Sequence, residues 1–189
     1  MKQRQKKSHS LESQAMNRTR AHGHGTKHLR IPLNRCFACG PANPDGMKLK
    51  FLFDERRRRA YCHFKLPKKY QGPPGHAHGG IIATILDEAM GKVNKLRSVV
   101  ALTSEMQIEY LRPVPLGKPL IAEGHERYVK GRRHINVGEI RNGKNEVLAR
   151  GRAVFIAIDP EKLFAKHLRG GERGGPLAYA PAKLNSVVK

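Results

Sequence analysis

Tryptophan is absent from this chain, cysteine occurs three times in 189 residues, and aromatic residues make up 6%. Three thiols cannot staple a small secreted scaffold; they point instead to a reducing compartment, and so to the cytoplasm. No apolar run approaches the roughly 18 residues that would suggest a membrane helix, so no membrane span is expected. The N-terminus is basic but lacks the apolar core of a secretory signal; its Arg and Ser content beside one acid, Glu12, leaves a transit peptide open. No internal repeat is visible. Acids are scarce: 15 Asp and Glu stand against 37 Lys and Arg, for a formal charge of +22.

That excess is unevenly placed. Residues 1–30 hold eight basic side chains against one acid, and residues 161–189 hold six against two, so half of the surplus lies in short flanks. A field this positive favours anionic partners, whether nucleic acid, an anionic membrane surface or a phosphorylated small molecule, and charge alone does not choose among them. Residues 1–30 show no apolar periodicity and read as a disordered basic tail; residues 161–189 read as a second basic tail with a helical turn or two at "EKLFAKHL". The apolar residues concentrate between Ile31 and Ile158, which sets one domain at 31–160, long enough to bury a core.

Within the domain, "GPANPDG" is turn chemistry, and Met47, Leu49, Phe51 and Phe53 then alternate as a half-buried strand. "RRRRAYCHFKL" alternates again, with Ala60, Cys62, Phe64 and Leu66 on one face, so "DERRRR" links a hairpin whose arginines form a solvated tip. After the Pro- and Gly-rich loop "PKKYQGPPGHAH", Ile81, Ile82, Ile85, Leu86, Ala89, Val93 and Leu96 fall on one helical stripe, with Thr84, Asp87, Glu88, Gly91 and Lys95 opposite. Three or four strand-like runs follow, one pair joined by the hairpin signal "RNGK". Two strands, one helix and further strands with short links describe an α+β fold, one helix on one antiparallel sheet.

Cys36 and Cys39 form C-x-x-C, with Cys62 and His63 downstream. A zinc site made of these four is disfavoured, because neighbouring strand residues point to opposite faces and a second C-x-x-C is missing. A redox pair is disfavoured too, since the motif does not open a helix after a strand. The thiols are therefore expected to serve the loop's structure, with no metal. His22, His24 and His28 lack an acid or thiol close enough to complete a metal site and read as part of the solvated tail.

The helix begins at His78-Gly79-Gly80. The first N–H groups of a helix lack partners, the dipole is positive there, and glycine lets another group approach the backbone, so this start suits an oxyanion, a carbonyl oxygen or a phosphate. Asp87 follows seven residues after Gly80, about 10 Å along the axis at 1.5 Å per residue. One substrate carbon cannot touch both groups of one helix. A joint role for the helix start and Asp87 therefore predicts two chains with antiparallel helices side by side, an isologous dimer with two identical sites. The competing reading of Asp87 is a solvated helix acid beside Glu88.

"HAHGGIIATILDEAMG" and "ALTSEMQIEYLRPVPLGKPLIAEG", with "CFACGPANPDGMKLKF" upstream, resemble the acyl-CoA thioesterases of the hotdog fold, in particular the PaaI-like group. The resemblance covers roughly Asn34 to Ile158 and leaves out both tails; the pairing of HGG-to-Asp spacing with "T…Y-x-R-P" is its most specific part. It implies a hotdog fold, one long central helix wrapped by a five- or six-stranded antiparallel sheet, dimerised edge to edge, with tetramers also known to the fold. It implies that the Gly79 N–H binds the thioester carbonyl, that His78 shapes that site with Gly80, that Asp87 of the other subunit acts as general base or nucleophile, and that Thr103 holds the water or the Asp. Donors fixed on a developing oxyanion and a carboxylate that deprotonates water or attacks make a coherent hydrolysis without a metal or redox cofactor; coenzyme A enters only as part of the substrate. Arg112, Lys130, Arg132 and Arg133 are candidates for its phosphates. A non-catalytic hotdog module that binds acyl-CoA, or nucleic acid through its basic tails, is the alternative; a hotdog dehydratase, suggested by "HFKLPKKYQGPPGHAHGG", fits the HGG-to-Asp87 pattern less well.

Overall fold

A computed structural model describes residues 34–164. The expected N-terminal tail lies outside them, as does the C-terminal one beyond residue 164. Six strands form one antiparallel sheet: β1 (Leu52–Asp54), β2 (Arg59–Phe64), β3 (Ala101–Tyr110), β4 (Leu120–Lys130), β5 (Arg133–Asn142) and β6 (Val147–Ala157), in the order β1-β2-β4-β5-β6-β3. One 15-residue helix, α1 (Gly79–Val93), packs on one face of the sheet, against β4, β5 and β6 above all, and a 3-10 turn at Asn94–Arg97 extends it. This is the expected α+β layout, with the sheet at six strands.

The helix stripe is buried at Ile82, Ile85, Leu86, Ala89, Met90 and Val93, each of the larger side chains contributing about 1.5–3 kcal/mol by leaving water. Ile81 and Leu96, expected on that stripe, are half-buried, and Met90 joins it. A row of glycines explains how closely the helix lies on the sheet. Gly124 pairs with Gly138 and Gly138 with Gly151, so β4, β5 and β6 present three residues without side chains side by side. A Cβ at Gly124 would sit 2.2 Å from the Ala89 carbonyl oxygen, and one at Gly138 would sit 2.8 Å from Met90 Cγ. The missing side chains are what admit the helix backbone.

The first expected strand is shorter than its alternation suggested. Residues 47–51 are irregular, Lys48 has a left-handed φ of 55°, and pairing begins only at Leu52. Apolar alternation there reflects a loop whose Leu49 enters the core while Met47 N–H donates to the Phe37 carbonyl and Leu49 N–H to the Ala38 carbonyl. The arginine-rich turn is also more than solvated. Arg58 pairs with Glu126, and Arg59 bridges Asp54 and Glu123 across two strands. The "RNGK" turn closes β5 and β6 as expected, with the left-handed residue at Asn145.

Candidate active site

The start of α1 is held from behind. His78 N–H donates to the Tyr70 carbonyl at 2.9 Å, and Ala77 N–H donates to the Val114 carbonyl at 2.9 Å. His78 has extended backbone (φ −65°, ψ 141°) and caps the helix with its side chain: Nδ1 accepts the Gly80 N–H at 3.0 Å. An accepting Nδ1 puts the ring proton of the neutral imidazole on Nε2. Gly80, expected to offer its amide to substrate, thus has that amide occupied by His78. The His78 carbonyl takes the N–H groups of Ile81 and Ile82. Gly79 N–H is left with no hydrogen bond among the described residues, at the positive end of the helix dipole.

Asp87 lies two turns on, half-buried, at a cleft of about 200 Å³ between the second half of α1 and the start of β3. Thr103 Oγ1 donates to Asp87 Oδ1 at 2.7 Å. Thr103 sits opposite Phe155, and the register shifts immediately after it, between Thr103 and Glu105. Such a bulge bends an edge strand and re-aims the neighbouring side chain. Burial raises the Asp87 pKa above the usual carboxylate range; the Thr103 hydroxyl works against that rise and the neighbouring Glu88 charge adds to it. Lys92 neutralises Glu88 at 2.7 Å.

The helix therefore separates Gly79 from Asp87, as its axial rise requires, and the chain itself brings together only Asp87 with Thr103 and Gly79 with Tyr110. Tyr110, the tyrosine of "Y-x-R-P", is a further contributor to which the sequence alone assigns no role. Its hydroxyl donates to the Gly79 carbonyl at 3.3 Å, and its ring would lie 3.7 Å from a Cβ at Gly79. The "Y-x-R-P" end of the strand carried the signal. The four basic candidates are dispersed. Arg112 Nη1 donates to the Val147 carbonyl at 3.0 Å, beyond the Tyr110 end of β3. Arg132 Nε donates to the Ala157 carbonyl at 2.9 Å, near the Ala101 end, while Lys130 and Arg133 are exposed on the same β4–β5 turn. Ten residues of β3 lie between the two groups.

Cys62 and His63 diverge as strand alternation requires: Cys62 is buried in the core and His63 is exposed. Cys36 and Cys39 instead lie against α1. Burial and the Glu88 carboxylate push the Cys39 thiol pKa up to about 11.

Residues 74–149, from the loop before α1 into β6, match the family model described as the thioesterase superfamily, and the domain has the hotdog fold of its structural neighbours. Among relatives, the chain is 28% identical over 116 residues to acyl-coenzyme A thioesterase THEM4 of Xenopus laevis, an alignment covering 61% of this chain and 52% of that protein. The chain thus spans about half the length of such curated relatives. A crystal structure of a thioesterase superfamily protein superposes with a TM-score of 0.62 at 29% identity, over 65% of this chain and 60% of that one. The PaaI protein of E. coli, from its phenylacetic acid degradation operon, shares the fold with a TM-score of 0.55 at 20% identity, over 59% and 80% of the two chains. Among the described residues, no helix is long and apolar enough to cross a membrane.

Proposed function

We propose that this protein is an acyl-CoA thioesterase that works as a dimer, hydrolysing the thioester to a free acid and coenzyme A. The observation that carries the reading is a carboxylate with a raised pKa, held by a hydroxyl donor at the mouth of a cleft, on the same helix as an unpartnered glycine amide. The name of the THEM4 relatives, acyl-coenzyme A thioesterase, supports the substrate class. Gly79 N–H of one subunit would receive the thioester oxygen as charge develops on it, and Asp87 of the other would activate water or attack the carbonyl. His78 contributes by capping the helix and keeping the Gly79 amide exposed. Exposed Lys130 and Arg133, with Arg132 on the same β4–β5 turn, supply positive charge for the nucleotide phosphates of the substrate, and Arg112 lies too far from them to share that task within one chain. Free thiols at Cys36, Cys39 and Cys62 suit a reducing cytoplasm.

Thiol release measured on a panel of acyl-CoAs tests this directly. Wild type is expected to turn over, and Asp87→Asn to lose about 10²–10⁴-fold in kcat, the usual worth of a general base. Undiminished turnover in that variant would remove Asp87 from the mechanism. The net charge of +22 keeps one other reading open, a module that binds nucleic acid through the flanks. It predicts salt-dependent binding that disappears without residues 1–30, and it fails if the full chain shows no binding at physiological salt.

A further inference from the structure

Two thiols and one carboxylate meet beside α1 at a point the thioester chemistry leaves unused. Residues 36–40, Cys-Phe-Ala-Cys-Gly, form a tight knuckle in which Gly40 N–H donates to the Cys36 carbonyl at 2.9 Å and Asn34 Oδ1 accepts the Cys36 N–H at 3.0 Å. Glycine is required at position 40, where a Cβ would lie 2.4 Å from Cys36 N. The knuckle turns both thiols toward the helix, and α1 brings Glu88 to meet them. Cys36 Sγ, Cys39 Sγ and a Glu88 carboxylate oxygen all lie within 4.8 Å of one another, and all three residues are half-buried. The cluster already accommodates a cation: Lys92 Nζ lies 2.7 Å from Glu88 Oε1 and 3.0 Å from Cys39 Sγ.

We propose that Cys36, Cys39 and Glu88 form a zinc site that clamps the loop of residues 34–51 onto α1, with water as the fourth ligand. Two thiolates at C-x-x-C spacing with a carboxylate are a donor set that suits zinc over the harder magnesium and calcium. Tetrahedral zinc, with bonds of about 2.3 Å to sulfur and 2.0–2.2 Å to oxygen, needs its donors about 3.5–3.8 Å apart, so the three draw in by at most about 1.3 Å. Binding releases the two thiol protons to solvent, and Lys92 swings its ammonium out on its flexible stem. The loop has reason to be clamped. The bonds from Met47 to Phe37 and from Leu49 to Ala38 are internal to it, and Lys92 with Cys39 is a polar tie from it to the helix. The site is independent of whether Asp87 hydrolyses thioesters.

The test uses the full-length, reduced protein, with zinc alone and cobalt(II) as probes. Expected are one tightly held zinc per chain and, on cobalt substitution, the thiolate-to-cobalt charge-transfer band in the near ultraviolet. Cys36→Ser and Cys39→Ser should each weaken zinc binding at least tenfold and abolish or halve the band, with the folded circular-dichroism spectrum retained. Cys62→Ala should change neither. Lys92→Gln, which removes the competing ammonium, should tighten zinc binding several-fold, an effect a merely structural lysine would not have. No metal uptake, uptake without a thiolate band (as tail histidines would give), or uptake unchanged in both cysteine variants would overturn the proposal.

Discussion

At Asp87, burial drives the pKa up while the Thr103 hydroxyl donates to the charged form and holds it down. The net rise has two consequences with the same sign. If Asp87 must be ionised to act, the acid limb of kcat/KM lies above the ordinary carboxylate value of about 4. Thr103→Val removes the restraining donor and should move that limb to higher pH; a limb that stays put would show that Asp87 does not set it. For stability, the folded-state pKa exceeds the unfolded one, so the folded chain gives up stability as pH climbs from the unfolded value through the raised one. Asp87→Asn, whose amide oxygen can still accept from Thr103, should therefore melt higher than wild type at neutral pH, with the gap closing near pH 3. That pattern, a more stable and less active variant, separates a site carboxylate from a solvated helix acid.

Among the elements, α1 shows most clearly what can be read from sequence. Its amphipathic stripe and its His-Gly-Gly start are visible in residue order, because period and turn chemistry are local. Its seat is not: the three glycines beneath it come from three strands and become a row only through pairing. That row gives a graded prediction in urea unfolding. Gly124→Ala drives a methyl into helix backbone and should destabilise by about 2–3 kcal/mol. Gly151→Ala meets the movable end of Met90 at 3.2 Å and the Gln107 carbonyl oxygen at 3.3 Å, both looser than the 2.2 Å at Gly124, and should cost about 1 kcal/mol, less than Gly124→Ala. Equal effects would mean that the helix shifts freely over the sheet. The stretch before β1 shows the converse: Met47, Leu49, Phe51 and Phe53 alternate like a strand, yet Lys48 in the left-handed region breaks the extended backbone and only Phe53 falls within β1. The meeting of Cys36 and Cys39 with Glu88 was hidden because the partner lies about 50 residues on and on another element. Tyr110 over Gly79 was hidden in the same way.

At the scale of the molecule, the strongest prediction is that the unit of function is two chains. β3 is an edge strand that exposes Leu102 (45%), Met106 (36%) and Tyr110 (55%), a surface suited to a second copy. Mixing two inactive variants tests whether sites are shared. Gly79→Pro removes the free amide, and the extended backbone of His78 tolerates a following proline at the first helical position. Refolded together, Asp87→Asn and Gly79→Pro chains should recover about a quarter of wild-type turnover, because half of randomly formed dimers carry one intact site. A mixture as inactive as its parts would place both groups' work within one chain. The two borders of the sheet differ in a way that bears on assembly size. β3 is long, whereas β1 at the opposite border pairs over three residues and ends in a turn of charged side chains. Once two copies join along β3, only those short borders remain. Growth by strand addition would then have nowhere to continue, so the same exposed strand that invites a partner would make the assembly self-terminating rather than fibrous.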